Sequence, residues 1–244
     1  DTLFPTASMI KVPIMVKLFD RIEQGEVGYH DNWVYRDSLL YPGEDLLGSF
    51  KDGEQISVAK VVMLMITTSD NTASLWSQLM AGTGTAINTW LAEHGFEGTR
   101  VNSRTEGRRG DWERYGWGQT TPREIADLMV MIRNGEAVSP AASEEMYRVL
   151  TRIYWNDEAL SQLPPTVQVA SKQGAVSQSR SEVVLVNAPS GDYVFSVITN
   201  NQEDKSWTYE NTGFALIRAV SQELWRHFEP NSTWQPAEGM QTYW

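Results

Sequence analysis

Residues 167–199, VQVASKQGAVSQSRSEVVLVNAPSGDYVFSVIT, decide the fold class. Val167 to Ala175, Val183 to Val186 and Tyr193 to Thr199 are short β-branched runs separated by turn residues, Ser190-Gly191-Asp192 among them, and they predict three antiparallel strands. Upstream the period changes. In residues 9–23, Ile10, Ile14, Leu18, Phe19 and Ile22 share one helical stripe, which predicts a helix from about Ser8 to Gln24. Pro13 fits that helix only near its first turn, where backbone donors lack intrahelical partners, so the helix starts close to Ser8. Further helices are expected at Ser57 to Thr68, Thr72 to Met80, and Thr85 to His94 with Gly95 as the stop. Two more run from the capping box Thr121-Pro122-Arg123-Glu124 to Gly135, and from Ser139-Pro140 to about Ile153. Residues 30–54 read as polar and turn-rich, and a final helix, Asn211 to Phe228, carries an apolar face to cover the sheet. Helices and strands in separate blocks mean α+β. With no repeat or low-complexity linker, residues 1–244 read as one domain, helical over about 8–155, with sheet and terminal helix over about 165–229.

Composition narrows the function. Twenty Lys plus Arg against 31 Asp plus Glu leave a net charge of −11, which repels phosphate backbones and excludes nucleic acid as a partner. The longest aliphatic run, Val61 to Ile66, is too short for membrane insertion. Without cysteine there is no thiol nucleophile or iron-sulfur site, and His30, His94 and His227 form no H-E-x-x-H pair, so neither metal nor cofactor is expected.

Chemistry enters with Ser8-Met9-Ile10-Lys11. A serine and a lysine one helical turn apart have Cβ atoms ~5–6 Å from each other, within reach for a neutral amine to take the hydroxyl proton. About half a match to this spacing arises by chance, and the chain has a second, Ser57-Val58-Ala59-Lys60, better read as a helix cap with a solvated lysine. The first pair gains weight from Ser69-Asp70-Asn71 between two helices and from Lys172-Gln173-Gly174 in a strand.

Those three motifs, with Phe4-Pro5-Thr6-Ala7 before Ser8 and Ala175 after Gly174, resemble the class A serine β-lactamases and the related penicillin-recognising serine hydrolases over nearly the whole chain. The resemblance implies a β-lactamase-like fold: an antiparallel sheet flanked by helices plus an all-helical part. It also implies that Ser8 is the nucleophile and forms an acyl-enzyme, and that the N–H groups of Ser8 and Ala175 hold the oxyanion. Lys11 would be the base, its pKa lowered by burial beside Lys172. Ser69 would relay a proton to the leaving nitrogen. Asn71 would bind the substrate amide and help hold Lys11, while Asp70 braces its turn. Glu106, in Arg104-Thr105-Glu106, matches the loop glutamate that activates the deacylating water, and Tyr41 the aromatic wall of the cleft. Gln173, Gly174 and Arg180 would complete substrate binding, Arg180 as a carboxylate-binding arginine.

The chain departs from that pattern in places. Arg109 and Gly110 stand where the pattern has Leu and Asn, Gly118 where it has Asp, and Gln173 where it has a hydroxyl residue. Gly107, Gly110, Gly116 and Gly118 make the loop read as mobile, with Asp111 and Glu113 as possible substitutes for Glu106. Family members also carry about forty residues before the nucleophile, forming a helix and two strands. Only seven precede Ser8 here, so the Tyr193 to Thr199 strand needs cover from an upstream segment, the tail Trp234 to Trp244, or a second chain. The resulting expectation is a serine acyl hydrolase opening a β-lactam or related cell-wall amide, secreted or periplasmic. The alternatives are a slowly deacylating penicillin-binding protein, or a non-catalytic binding module on the same scaffold.

Overall fold

From Val12 to Val16 the helix that opens with Lys11 is apolar at every position, and a segment of that kind must be enclosed. Val12, Ile14, Met15, Val16 and Leu18 have no exposed surface, and the rest of the helical part packs round them. The computed structural model describes residues 2–43 and 45–243. In chain order they form β1 Phe4–Pro5, α1 Lys11–Glu23, β2 Asn32–Val34, β3 Gln55–Ser57, α2 Val58–Thr67, α3 Asn71–Met80, α4 Thr83–Glu93 and β4 Arg100–Val101. There follow α5 Arg109–Tyr115, β5 Gly118–Thr120, α6 Pro122–Asn134, α7 Pro140–Leu150, β6 Val169–Val176, β7 Ser179–Ala188, β8 Gly191–Ile198 and α8 Thr212–Phe228.

The main sheet is antiparallel in the order β6-β7-β8. Its pleat separates two apolar clusters. Ala170, Val183 and Leu185 face the helices around α1, while Val169, Val184 and Val186 face Ile217 and Trp225 of α8. β8 forms one edge, and among the described residues no strand lies beyond it. The tail Trp234–Tyr243 contributes no strand to it. β6 forms the other edge, against the 3₁₀ turn Ala7–Ile10 that holds Ser8.

Small adjustments separate expectation from structure. Residues 30–54, read as irregular, include β2, and β2 pairs with β3 around the buried Tyr35. The helix expected to reach Ile153 stops at Leu150. Half of the Thr121 capping box forms: Thr121 Oγ1 accepts from Glu124 N at 3.1 Å, whereas the Glu124 carboxylate turns away to accept from Gly98 N and Thr99 N at 2.8 and 2.6 Å. The glycine-rich loop is partly helical, with Gly110 inside α5. Gly118 is fixed by contact, because a Cβ there would lie 2.5 Å from Ile10 Cδ1 and 2.8 Å from Thr6 Oγ1.

Candidate active site

Ser8 sits in the tight turn leading into α1, immediately after Ala7, whose φ of +45° is unfavourable for a residue with a Cβ. Met9 and Ile10, both buried just ahead of α1, hold the turn, and Ser8 lies on the cavity wall. Lys11 is fully buried one turn on. Its Nζ lies 3.1 Å from Ser8 Oγ, 3.1 Å from Ser69 Oγ and 2.8 Å from Asn71 Oδ1, and also reaches Ser69 O. Four acceptors exceed the three N–H bonds of an ammonium. A neutral amine, with two N–H bonds and one lone pair, can donate to Asn71 Oδ1 and Ser69 O and accept the Ser8 hydroxyl proton, which leaves Ser69 Oγ to Lys172. Burial lowers Lys11 to a pKa of about 7, against the upward pull of Asp45 and Asp70.

Ser69 joins α2 to α3 with φ at +62°, a strained conformation that brings its hydroxyl between two amines. Lys172 Nζ donates to that hydroxyl at 3.1 Å from the opposite side, in β6. Lys172 is also fully buried, and its pKa is lowered by that burial and then by repulsion from Lys11. Asp70 braces the turn: Oδ1 caps α3 by accepting from Ala73 N at 2.7 Å, and Oδ2 accepts from Leu47 N at 2.8 Å. Gly174 lets β6 approach Ser8, since a Cβ there would come 2.8 Å from Ser8 N and 2.6 Å from Thr6 O. Ser8, Ser69, Asn71, Gln173, Gly174 and Ala175 line one cavity of about 860 Å³. A second, of about 430 Å³, meets it at Ser8, Asn71 and Ala175 and is walled by Tyr41 and Trp117, whose rings pack edge to face at 5.2 Å.

The sequence model of the beta-lactamase enzyme family matches residues 1–228. The chain belongs to that family. Beta-lactamase VEB-1 of Pseudomonas aeruginosa is 20% identical over 93% of this chain and 79% of its own length. Among solved structures, a PBP-A mutant captured as an acyl-enzyme complex with penicillin G is 29% identical, with a TM-score of 0.82 over 94% of this chain and 83% of its own. A beta-lactamase from Sphaerobacter thermophilus superposes with a TM-score of 0.83 at 23% identity, over 93% of this chain and 84% of its own. The fold is β-lactamase-like.

Within this beta-lactamase-family fold, three of the expected residues lie apart from the Ser8 cluster or are spent on protein contacts. Glu106 is exposed and lines a cavity of about 530 Å³ with Arg104, Trp112 and Trp117; that cavity does not include Ser8 and adjoins the Ser8 cleft across the Tyr41–Trp117 wall. Asp111 and Glu113 do not replace it, being paired on the surface with Arg108 and Arg109 at 3.1 and 3.0 Å. Arg180 has no exposed surface: it donates to the carbonyls of Val176, Ser179 and Ser206 and stacks on Trp207 at 4.4 Å. β7 turns it toward α8, so its charge is used inside the protein. Gln173 lines the cleft but folds back, its Oε1 accepting from Lys172 Nζ at 2.6 Å.

Sequence reasoning missed a buried acid pair. Glu182 lies in β7 on the face of Val184 and Val186, and Glu158 sits at the start of the short turn Ala159–Gln162. Glu182 accepts from Ala159 N at 3.0 Å. Burial raises the pKa of both carboxyls, Asp157 adding to the rise at Glu158 and Glu158 itself to that at Glu182. A charged residue within the apolar run Val183–Val186 and its flank was the one available signal; nothing in residues 154–163 marked Glu158.

Proposed function

We propose that this family member is a serine acyl enzyme that opens a β-lactam or related amide through an ester on Ser8. The observation that carries the reading is the position of Lys11 Nζ, 3.1 Å from both Ser8 Oγ and Ser69 Oγ. Neutral Lys11 takes the Ser8 proton as Oγ attacks the carbonyl carbon, and the N–H groups of Ser8 and Ala175 receive the oxyanion. The amide C–N bond then breaks. Ser69 gives its proton to the departing nitrogen and regains one from the Lys11 side, with Lys172 steadying the hydroxyl. Asn71, its oxygen engaged by Lys11, turns its NH₂ to the substrate's acyl amide. The reading carries with it a site of action outside the cytoplasm, where such amides are met.

A second reading concerns the ester's fate. The exposed position of Glu106 favours slow deacylation, as does likeness to a PBP-A mutant trapped with penicillin G. Intact mass followed over time after mixing with penicillin G tests both steps. A penicilloyl adduct that forms on the wild type and is absent from Ser8→Ala supports acylation, and its persistence after excess drug is removed supports the slow ester. No adduct and no hydrolysed product would refute the function.

A further inference from the structure

The arm of the cleft beyond Ser69, into which a leaving amine departs, is walled by aromatic rings and acids. Trp155 donates its indole N–H to Thr68 O at 2.9 Å and Tyr154 N–H donates to Thr67 O at 3.0 Å, which docks both onto the turn that carries Ser69. Their rings meet edge to face at 5.1 Å and stay 43% and 68% exposed. Trp207, in the lining of the same cavity, is 59% exposed, with one face covered by the Arg180 guanidinium. Large rings held open to solvent in the lining of one cavity form a surface built for an occupant.

Its charge is one-sided. Among the described lining residues none is Lys, Arg or His, whereas Asp45, Asp70, Asp157 and Glu158 are present. Asp45 and Asp70 are occupied by backbone N–H groups of Thr72, Ala73 and Leu47. Glu158 is different: only 7% exposed, it lines the cavity, and its buried oxygen Oε2 has no hydrogen-bond partner. The charges around it are Asp157 beside it, Lys172 of β6, Arg180 and Glu182 of β7, and Arg218 of α8. None of them satisfies that oxygen. An unpaired carboxylate in a cavity wall is a cost that a cation held nearby offsets.

We propose that this arm binds a positively charged group on the leaving-group side of the substrate, enclosed by Tyr154, Trp155 and Trp207 and countered by Asp157 and Glu158. The preferred substrates are then amides or β-lactams whose departing portion carries an ammonium or quaternary nitrogen. This rests on the acyl-transfer reading of Ser8.

Two cephalosporins with the same acyl side chain, one bearing pyridinium and one acetoxy at the C3′ position, test it through the rate of Ser8 acylation. Each rate is divided by that compound's alkaline hydrolysis rate. The corrected preference for pyridinium is expected to be roughly tenfold in the wild type and to fall toward unity in Trp155→Ala and in Asp157→Asn/Glu158→Gln. A corrected ratio near one in the wild type, or one that the substitutions do not change, overturns the proposal. A second measurement is independent of chemistry: benzyltrimethylammonium titrated into Ser8→Ala should quench tryptophan fluorescence, more weakly when Trp155→Ala is added. Equal binding of its uncharged carbon isostere overturns the inference. If neither cephalosporin acylates Ser8 while the ammonium still binds in this way, the acyl-transfer reading fails and the cation site stands.

Discussion

Lys11→Met separates the chemical role of the amine from its cost to the fold. In the unfolded chain the amine holds its proton up to its ordinary pKa of 10.5, whereas burial makes it release the proton near 7 in the native state. Between those values the unfolded state binds more protons, so stability rises with pH and the penalty is largest at and below pH 7. A shift of that size gives about 2 kcal/mol of added stability from this group between pH 7 and pH 9. Methionine fills a similar volume and does not titrate. Urea unfolding should therefore show the wild type gaining about 2 kcal/mol more than Lys11→Met over that interval. Lys172 widens the difference, because removal of Lys11 relieves part of its own lowering. The same variant should lose penicillin acylation, while wild-type acylation rises with pH up to about 7 and then levels off as Lys11 becomes neutral. Identical pH slopes of stability in the two proteins would refute the claim that Lys11 is the buried, lowered amine.

Gly174→Ala places a methyl group 2.6–2.8 Å from Thr6 O, Ser8 N and Ser181 Oγ, and is expected to cost roughly 1–3 kcal/mol and slow acylation at least tenfold, as read by urea midpoint and adduct mass. In Asp70→Asn an NH₂ must face either Leu47 N or Ala73 N, donor against donor, so a loss of about 1–3 kcal/mol should appear in the same unfolding assay. Glu106→Gln, in an exposed side chain that lines a different cavity, should leave the lifetime of the penicilloyl adduct within about twofold of wild type. An adduct that lives ten times longer would return Glu106 to the reaction.

Much of what depends on close neighbours in the chain was readable in the sequence. The spacing of Ser8 and Lys11 is a helical turn, the β-branched runs after Val167 are strands, and Asn211 caps α8, as a short polar residue before an apolar run implies. Motif resemblance then grouped Ser8, Ser69 and Lys172, whose meeting the structure measures in hydrogen bonds across 58 and 103 positions of chain.

The environment of each group was not readable in this way, because burial and charge depend on what packs around a side chain from distant segments. Arg180 and Glu106 make the point from opposite directions. The arginine expected in the cleft is stacked within the protein on Trp207, and the glutamate expected beside Ser8 faces solvent in another cavity. Lys11 owes its lowered pKa to enclosure by elements up to Asn71, and Glu158 its unpaired oxygen to the approach of β7 and α8. Local spacing can place a hydroxyl beside an amine; the protonation state of that amine follows from desolvation, which exists only once the chain has closed around it.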